Sequence, residues 1–287
     1  MRIYGHLGGL RRQVKRRTML TPLDPLVSSL AHALDYFGPR LSPPPAIETR
    51  VQVGNEWQLI LPAGLPSARR LMAGDYEPEV SSLICTLLEP GMTFVDAGAN
   101  VGYYTLLAAS LVGDAGHVYA FEPDSDAHAY LESNLKLNAI TQVTAFRKAL
   151  ADTPGTMSFN PSAFEGGFVS SSPKSEATMQ VETESLDHFM GDRGWPRIDL
   201  IKLDVEGAES SVLAGMAELS VRNPLLQLII EFNLTTIRRA GGTPDQLGTA
   251  LRRLGFQSAL IIEQGRQFTL SEGLPKSGLV YNLLITK

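Results

Sequence analysis

The chain has 287 residues, 25 Lys+Arg against 30 Asp+Glu, a formal net charge of −5 and a hydrophobic fraction of 44%. That composition excludes a disordered chain, and the mild acidity excludes a surface that binds nucleic acid throughout. The single cysteine, Cys85, excludes an intrachain disulfide framework, a cysteine-rich zinc site and an iron–sulfur cluster, and it fits a reducing cytoplasm.

Residues 1–17 carry six basic residues and no acid, which leaves 19 basic and 30 acidic residues in the remaining 270. Pro22, Asp24 and Pro25 interrupt the segment that follows, so a secretory signal is not expected. A short helix is expected over 27–37, stopped at Gly38-Pro39 and by Pro43-Pro44-Pro45. Arg50–Leu61 reads as a hairpin: Val51 and Val53 alternate with polar residues, Gly54-Asn55 turns the chain, and Trp57, Leu59 and Leu61 return. Residues 1–70 are therefore taken as an N-terminal extension that caps the active site or mediates homo-oligomerisation, and 71–287 as the main domain. Pro78–Leu88 has apolar residues at helical spacing.

From Thr93 short apolar strands alternate with helices. Strands are expected at 93–95, 117–121, 143–150, 200–205, 226–232, 258–262 and 280–285, and helices at 103–111, 126–137, 208–219 and 244–254. Such alternation gives a mostly parallel sheet with helices on both faces. Thr156–Glu184 reads as a short hairpin with a loop rich in Ser, Thr and Gly, and Phe164–Ser175 within it is the candidate lid. No apolar run reaches the roughly 18–20 residues of a membrane span.

Three places carry chemistry. In Phe94-Val95-Asp96-Ala97-Gly98-Ala99-Asn100-Val101-Gly102 a buried strand enters a glycine turn and then a helix N-terminus, where backbone can approach a ligand. Glu122 closes the next strand 24 residues after Gly98, where an acid can accept both hydroxyl protons of a ribose. A nucleoside-containing cofactor is expected from the two together. Ile201-Lys202-Leu203-Asp204-Val205-Glu206-Gly207-Ala208-Glu209 then gathers three carboxylates at the switch point of the sheet. Glu209 reads as a helix-dipole partner, and Lys202 as either paired to a neighbouring acid or placed at a sheet edge. Glu231 and Asn233, closing the fifth strand, point to the ligand edge or are ordinary strand-end residues. Of the five histidines only His128 lies close to this edge, and none is expected to be catalytic.

The ordered set of Asp96–Thr105, Phe121-Glu122-Pro123, Asn134-Leu135-Lys136-Leu137-Asn138 and Ile201–Glu209 resembles the FkbM family of S-adenosylmethionine-dependent methyltransferases, over a stretch from about Tyr76-Glu77-Pro78 to the C-terminus. The resemblance implies a class I methyltransferase fold, Rossmann-like, with a seven-stranded sheet whose last strand is antiparallel. It implies methyl transfer to oxygen, often on a sugar or secondary-metabolite hydroxyl. It places Asp96, Gly98, Asn100 and Gly102 around the methionine part of S-adenosylmethionine, Glu122 on the ribose, and Asn138 and Ala149 towards the adenine. A protonated hydroxyl is a poor nucleophile, so Asp204 and Glu206 are the candidates for a base or for oxygen ligands of a divalent cation such as Mg. The sequence does not separate those two roles.

A nicotinamide dehydrogenase would use the same turn and acid, but a third glycine is missing and the Asp204–Glu209 cluster would go unexplained. A protein or nucleic-acid methyltransferase would need a basic or substrate-reading surface, and no Asn-Pro-Pro-aromatic motif is present. An inactive scaffold would tolerate broken motif positions, and none is broken. The partner expected is a small-molecule or glycan acceptor.

Overall fold

The computed structural model describes residues 49–53, 57–62, 65, 67–73, 75–160, 168–169, 179–276 and 280–287. The basic segment 1–17, the helix expected at 27–37, the Gly54-Asn55 turn and most of loop 164–175 lie outside the described residues.

β1 (Thr49–Val53) and β2 (Trp57–Leu61) pair antiparallel as the expected hairpin. A short helix that the sequence pattern did not indicate, α1 (Ala68–Ala73), follows. Leu59 and Leu61 are fully buried, in one core with Leu71, Ala99, Val101, Leu131 and Leu135. Each such leucine stabilises the fold by about 1.5–3 kcal/mol. β2 thus shares a buried cluster with residues of the 71–287 domain.

The central sheet begins after α2 (Pro78–Leu87), which has proline in its first turn. It is built from β3 (Thr93–Ala97), β4 (His117–Phe121), β5 (Val143–Phe146), β10 (Leu200–Leu203), β11 (Gln227–Phe232), β12 (Ser258–Ile261), β13 (Arg266–Thr269) and β14 (Tyr281–Thr286), in the order β5-β4-β3-β10-β11-β14-β12-β13. The first five are parallel, and β14 enters antiparallel between β11 and β12. The described sheet therefore has eight strands where seven were expected. The extra one, β13, forms a hairpin with β12.

The segment 143–150 is two strands rather than one. β5 stays with β4, while β6 (Ala149–Leu150) leaves to pair with β9 (Met179–Glu184), which also binds β7 (Gly155–Asn160) in a second sheet that continues to β8 (Phe168–Val169). Ala149 is buried there with Phe159 and Val181, which fixes the departure.

Helices cover both faces. On one side lie α2 and α3 (Tyr103–Val112), with eight of the ten α3 residues buried, as suits a helix apolar nearly all round. α4 (Ser125–Leu137) is capped by Asp124, which accepts from the Asp126 and Ala127 N–H groups. On the other side lie α5 (Leu186–Gly191), α6 (Glu209–Ala214), α7 (Ala217–Arg222), α8 (Leu234–Arg239) and α9 (Pro244–Arg253). The helix expected over 208–219 breaks between α6 and α7 because the Gly215 carbonyl turns aside to accept from Asp187 N–H at 2.8 Å. Among the described residues no helix is long and apolar enough to cross a membrane.

Candidate active site

The turn after β3 is held at nearly every peptide. Gly98 and Ala99 N–H both donate to the Phe121 carbonyl (2.9 and 3.0 Å), Gly102 N–H donates to Ala99 (2.9 Å), and Asp204 N–H donates to Ala97 (3.0 Å). Asn100, at φ 49°, donates its N–H to Glu122 Oε2 at 2.8 Å. The glycines serve packing as well as ligand approach. At Gly98 (φ +84°) a Cβ would fall 1.9 Å from the Asp204 carbonyl oxygen, and at Gly102 (φ +94°) 2.6 Å from Leu131 Cδ1. The strand carrying Asp204 is therefore pressed against the turn, which places the two motifs at one spot.

Glu122 is 7% exposed, and its second oxygen accepts from Asp124 N–H at 2.8 Å. Burial pushes its carboxyl up to about 7, against the pull of the two backbone N–H groups. Each oxygen keeps a lone pair for a further donor. Asp96, 1% exposed, accepts from Thr105 Oγ1 at 2.6 Å through Oδ2, while Oδ1 is buried with no hydrogen-bond partner among the described residues. Burial raises this carboxyl too, and the nearby Lys202 works against that rise.

Across the sheet Asp204, Glu206 and Glu231 come together, with one carboxylate oxygen of each within 4.8 Å of the others. Lys202 lies beneath them in the middle of the sheet, not at an edge. It is 2% exposed, donates to Asp204 Oδ2 at 2.7 Å, and sits 4.7 Å from the centre of the Tyr104 ring. Burial alone would lower its ammonium, yet Asp204, Glu77 and Asp96 together hold it above the ordinary lysine value. Tyr104 in turn donates to Glu77 Oε2 at 2.5 Å. Glu231 is raised well above the usual carboxylate range by burial and by the charges of Asp204, Glu206 and Glu77. Glu206 stands at φ 53°, a backbone conformation uncommon for a residue with a Cβ.

Residues 96–258, over half of the chain, match the Methyltransferase FkbM domain family. The chain belongs to the FkbM methyltransferase family. It is 30% identical over 234 residues to the AMB antimetabolite synthetase AmbE of Pseudomonas aeruginosa, covering 68% of this chain and 11% of that protein. It is 32% identical to the 2-O-methyltransferase NoeI of Sinorhizobium fredii (49% of this chain, 64% of that one). It is 29% identical to the hexuronic acid methyltransferase AglP of Haloferax volcanii (49% and 56%). The matches therefore span less than two thirds of each of these relatives.

Of the residues expected in the site, Asp96, Gly98, Asn100, Gly102, Glu122, Asp204 and Glu206 gather at the C-terminal ends of β3, β4 and β10. The Asn138 amide is taken up by Gln58, accepting from its N–H at 2.8 Å and donating to its carbonyl at 2.7 Å, and Ala149 packs in the second sheet. Glu209, 2% exposed, folds back to accept from Gly207 N–H at 3.0 Å at the start of α6, a local role as expected. The structure adds Glu231, Lys202, Tyr104 and Glu77. Glu231 had a signal, an acid closing an apolar strand, whereas Glu77 is far from the others in sequence and gave none.

Proposed function

We propose that this chain is an S-adenosylmethionine-dependent O-methyltransferase acting on a hydroxyl of a sugar, glycan or secondary metabolite. The observation that carries the reading is the carboxylate group of Asp204, Glu206 and Glu231 beside the glycine turn, in a chain of a methyltransferase family. The names of NoeI and AglP, a 2-O-methyltransferase and a hexuronic acid methyltransferase, support an oxygen on a sugar-like acceptor. The single cysteine fits a reducing cytoplasm, and the acidic balance favours a small-molecule or glycan partner over nucleic acid.

S-adenosylmethionine supplies, when bound, a methyl group already activated by its sulfonium charge. In this reading Glu122 accepts the ribose hydroxyl protons, while Asp96 and the Gly98–Gly102 backbone surround the methionine part. Holding the acceptor oxygen in line is worth several kcal/mol, of the order of about 7–11 in the best-aligned systems. Asp204 or Glu206 takes the hydroxyl proton, and Lys202 fixes Asp204 in place for that task. A metal-assisted version has one observation in its favour: the three carboxylates form a hard-oxygen donor set of the kind a magnesium-like ion prefers. The Lys202 ammonium, already on Asp204, favours the base-only version.

The test is calorimetry with S-adenosylmethionine and, separately, NAD, followed by labelled methyl transfer to sugar, glycan, polyketide, protein and RNA acceptors with and without EDTA. Binding of the first ligand and transfer to a hydroxylated small molecule are expected. Binding of NAD alone, or transfer only to protein or RNA, would overturn the reading, and loss of turnover in EDTA would select the metal version.

A further inference from the structure

Asn134 is fully buried on α4, and its side-chain amide is spent on two distant pieces of backbone. Its Oδ1 accepts from Ile60 N–H at 2.6 Å, and its Nδ2 donates to the Ile60 carbonyl at 3.1 Å and to the Val101 carbonyl at 2.8 Å. Asn138 repeats the first half of this pattern on Gln58, and its Nδ2 also donates to the Asn134 carbonyl at 2.7 Å. The spacing explains the match. Four residues along a helix rise about 6 Å, and two along a strand about 6.6 Å, so two amides one turn apart face alternate residues of β2. The asparagines stand in for a neighbouring strand on the edge of β2 that β1 does not occupy.

Of the two amides, it is that of Asn134 that reaches Val101, inside the glycine turn. The rest of that turn is tied to β4 through Phe121 and to Glu122 through Asn100. The Val101 carbonyl is thus a hydrogen-bonded tie, through Asn134, from the turn to the N-terminal hairpin, added to the core that Ala99 and Val101 share with Leu59 and Leu61.

We infer that Asn134 is a positioning residue for the cofactor turn, clamping Val101 to the β1–β2 hairpin so that turn and hairpin hold one geometry for the cofactor. Without the clamp the Val101–Gly102 peptide can rotate, which loosens the Gly102 N–H bond to the Ala99 carbonyl, and the Ala99–Asn100 peptide so released carries the Asn100 N–H that orients Glu122. The inference rests on the reading of Gly98–Gly102 as a cofactor turn.

Three measurements test it, with S-adenosylhomocysteine as the probe. Asn134→Ala should raise its Kd about tenfold or more, and raise the KM for S-adenosylmethionine while kcat at saturation is largely kept. Asn138→Ala, which loosens the hairpin but spares the Val101 bond, should lower the melting temperature to a similar degree and raise Kd at least fivefold less. In the wild-type protein, ligand binding should slow hydrogen exchange at the Gln58 and Ile60 amides, because coupling between sites is reciprocal. This last measurement stands even where Asn134→Ala does not fold. Equal Kd values for the two variants, or unchanged exchange at Gln58 and Ile60 in the liganded wild type, would overturn the inference. Wild-type protein that does not bind the probe would overturn the cofactor reading instead.

Discussion

The raised carboxyl of Glu122 makes cofactor binding dependent on pH. With its carboxyl at about 7, Glu122 in the free protein is largely protonated at pH 6. Accepting two ribose hydroxyls requires the carboxylate, so binding below that point must expel a proton. Affinity is then full well above pH 7, half of that at pH 7, and falls by up to tenfold for each unit below it, about 30-fold from the alkaline limit to pH 5.5. The same shift acts on the fold with its own sign. An acid raised in the folded state stabilises that state least when ionised, so the contribution present below its unfolded value near 4.5 is lost as pH rises through 7. Over that window the loss is on the order of 3 kcal/mol. Calorimetric titration of S-adenosylmethionine from pH 5.5 to 8.5, in two buffers of different protonation enthalpy, measures both Kd and the proton count. Glu122→Gln reports the ligand's own titration. Equal Kd at pH 5.5 and 8, or the same proton release in Glu122→Gln, would refute the reasoning.

Three more outcomes follow from the site. Gly98→Ala forces a Cβ to within 1.9 Å of the Asp204 carbonyl oxygen at φ +84°. Left-handed strain of about 1–2 kcal/mol and overpacking of about 1–3 should lower the melting temperature by roughly 5–20 °C at about 2–4 °C per kcal/mol, and an unchanged melt would show that the contact is absent. Lys202→Met strands Asp204 and its neighbours without their cation, a loss of about 3–5 kcal/mol for a broken buried pair. Urea unfolding at pH 7.5 should show that loss, and the deficit should shrink at pH 5 as carboxyls take up protons; equal stability at both pH values contradicts it. Asp204→Asn and Glu206→Gln should each lower kcat by about 100-fold or more while S-adenosylmethionine still binds, and full turnover in both would remove the base assignment.

The strand–helix alternation from Thr93 onward was legible because the central strands are apolar runs of strand length, Leu228-Ile229-Ile230 being the densest, and because each ends in a glycine or an acid. α8 was missed although its start signal is in the sequence. Asn233 was read as pointing to the ligand edge or as an ordinary strand end, but its side chain accepts from the Thr235 and Thr236 N–H groups as a helix cap. The hold of Asn138 on the hairpin was not legible for a different reason. A primary amide on a helix surface does not announce whether it will meet a ligand or a backbone edge, and the partner, Gln58, lies 80 residues away. Lys202 was ambiguous because alternation within a strand cannot say whether that strand is central. Only the neighbours β3 and β11 decide it.

The two-residue period of the strands explains why the chemistry lies on one face of the sheet. Val95, Ala97, Ile201, Leu203, Leu228, Ile230 and Phe232 all enter the core under α6, α8 and α9. Their alternates Phe94, Leu200 and Ile229 enter the core under α2 and α3. Continuing each of those three strands by two residues gives Asp96, Lys202 and Glu231, so the polar groups share a face, with Asp96 directly beside Lys202 in register. One further step along β10 gives Asp204, and across β11 Glu231 stands opposite Asn282, whose N–H and side-chain amide both donate to Glu263 at 2.9 Å. A one-residue slip of β10 would send Lys202 into the apolar core of the opposite face, where no carboxylate of this group could reach it. The register that buries Ile201 and Leu203 is therefore the register that brings Lys202 to Asp204. The packing of the sheet and the charge arrangement of the site are one constraint, imposed by the same alternation.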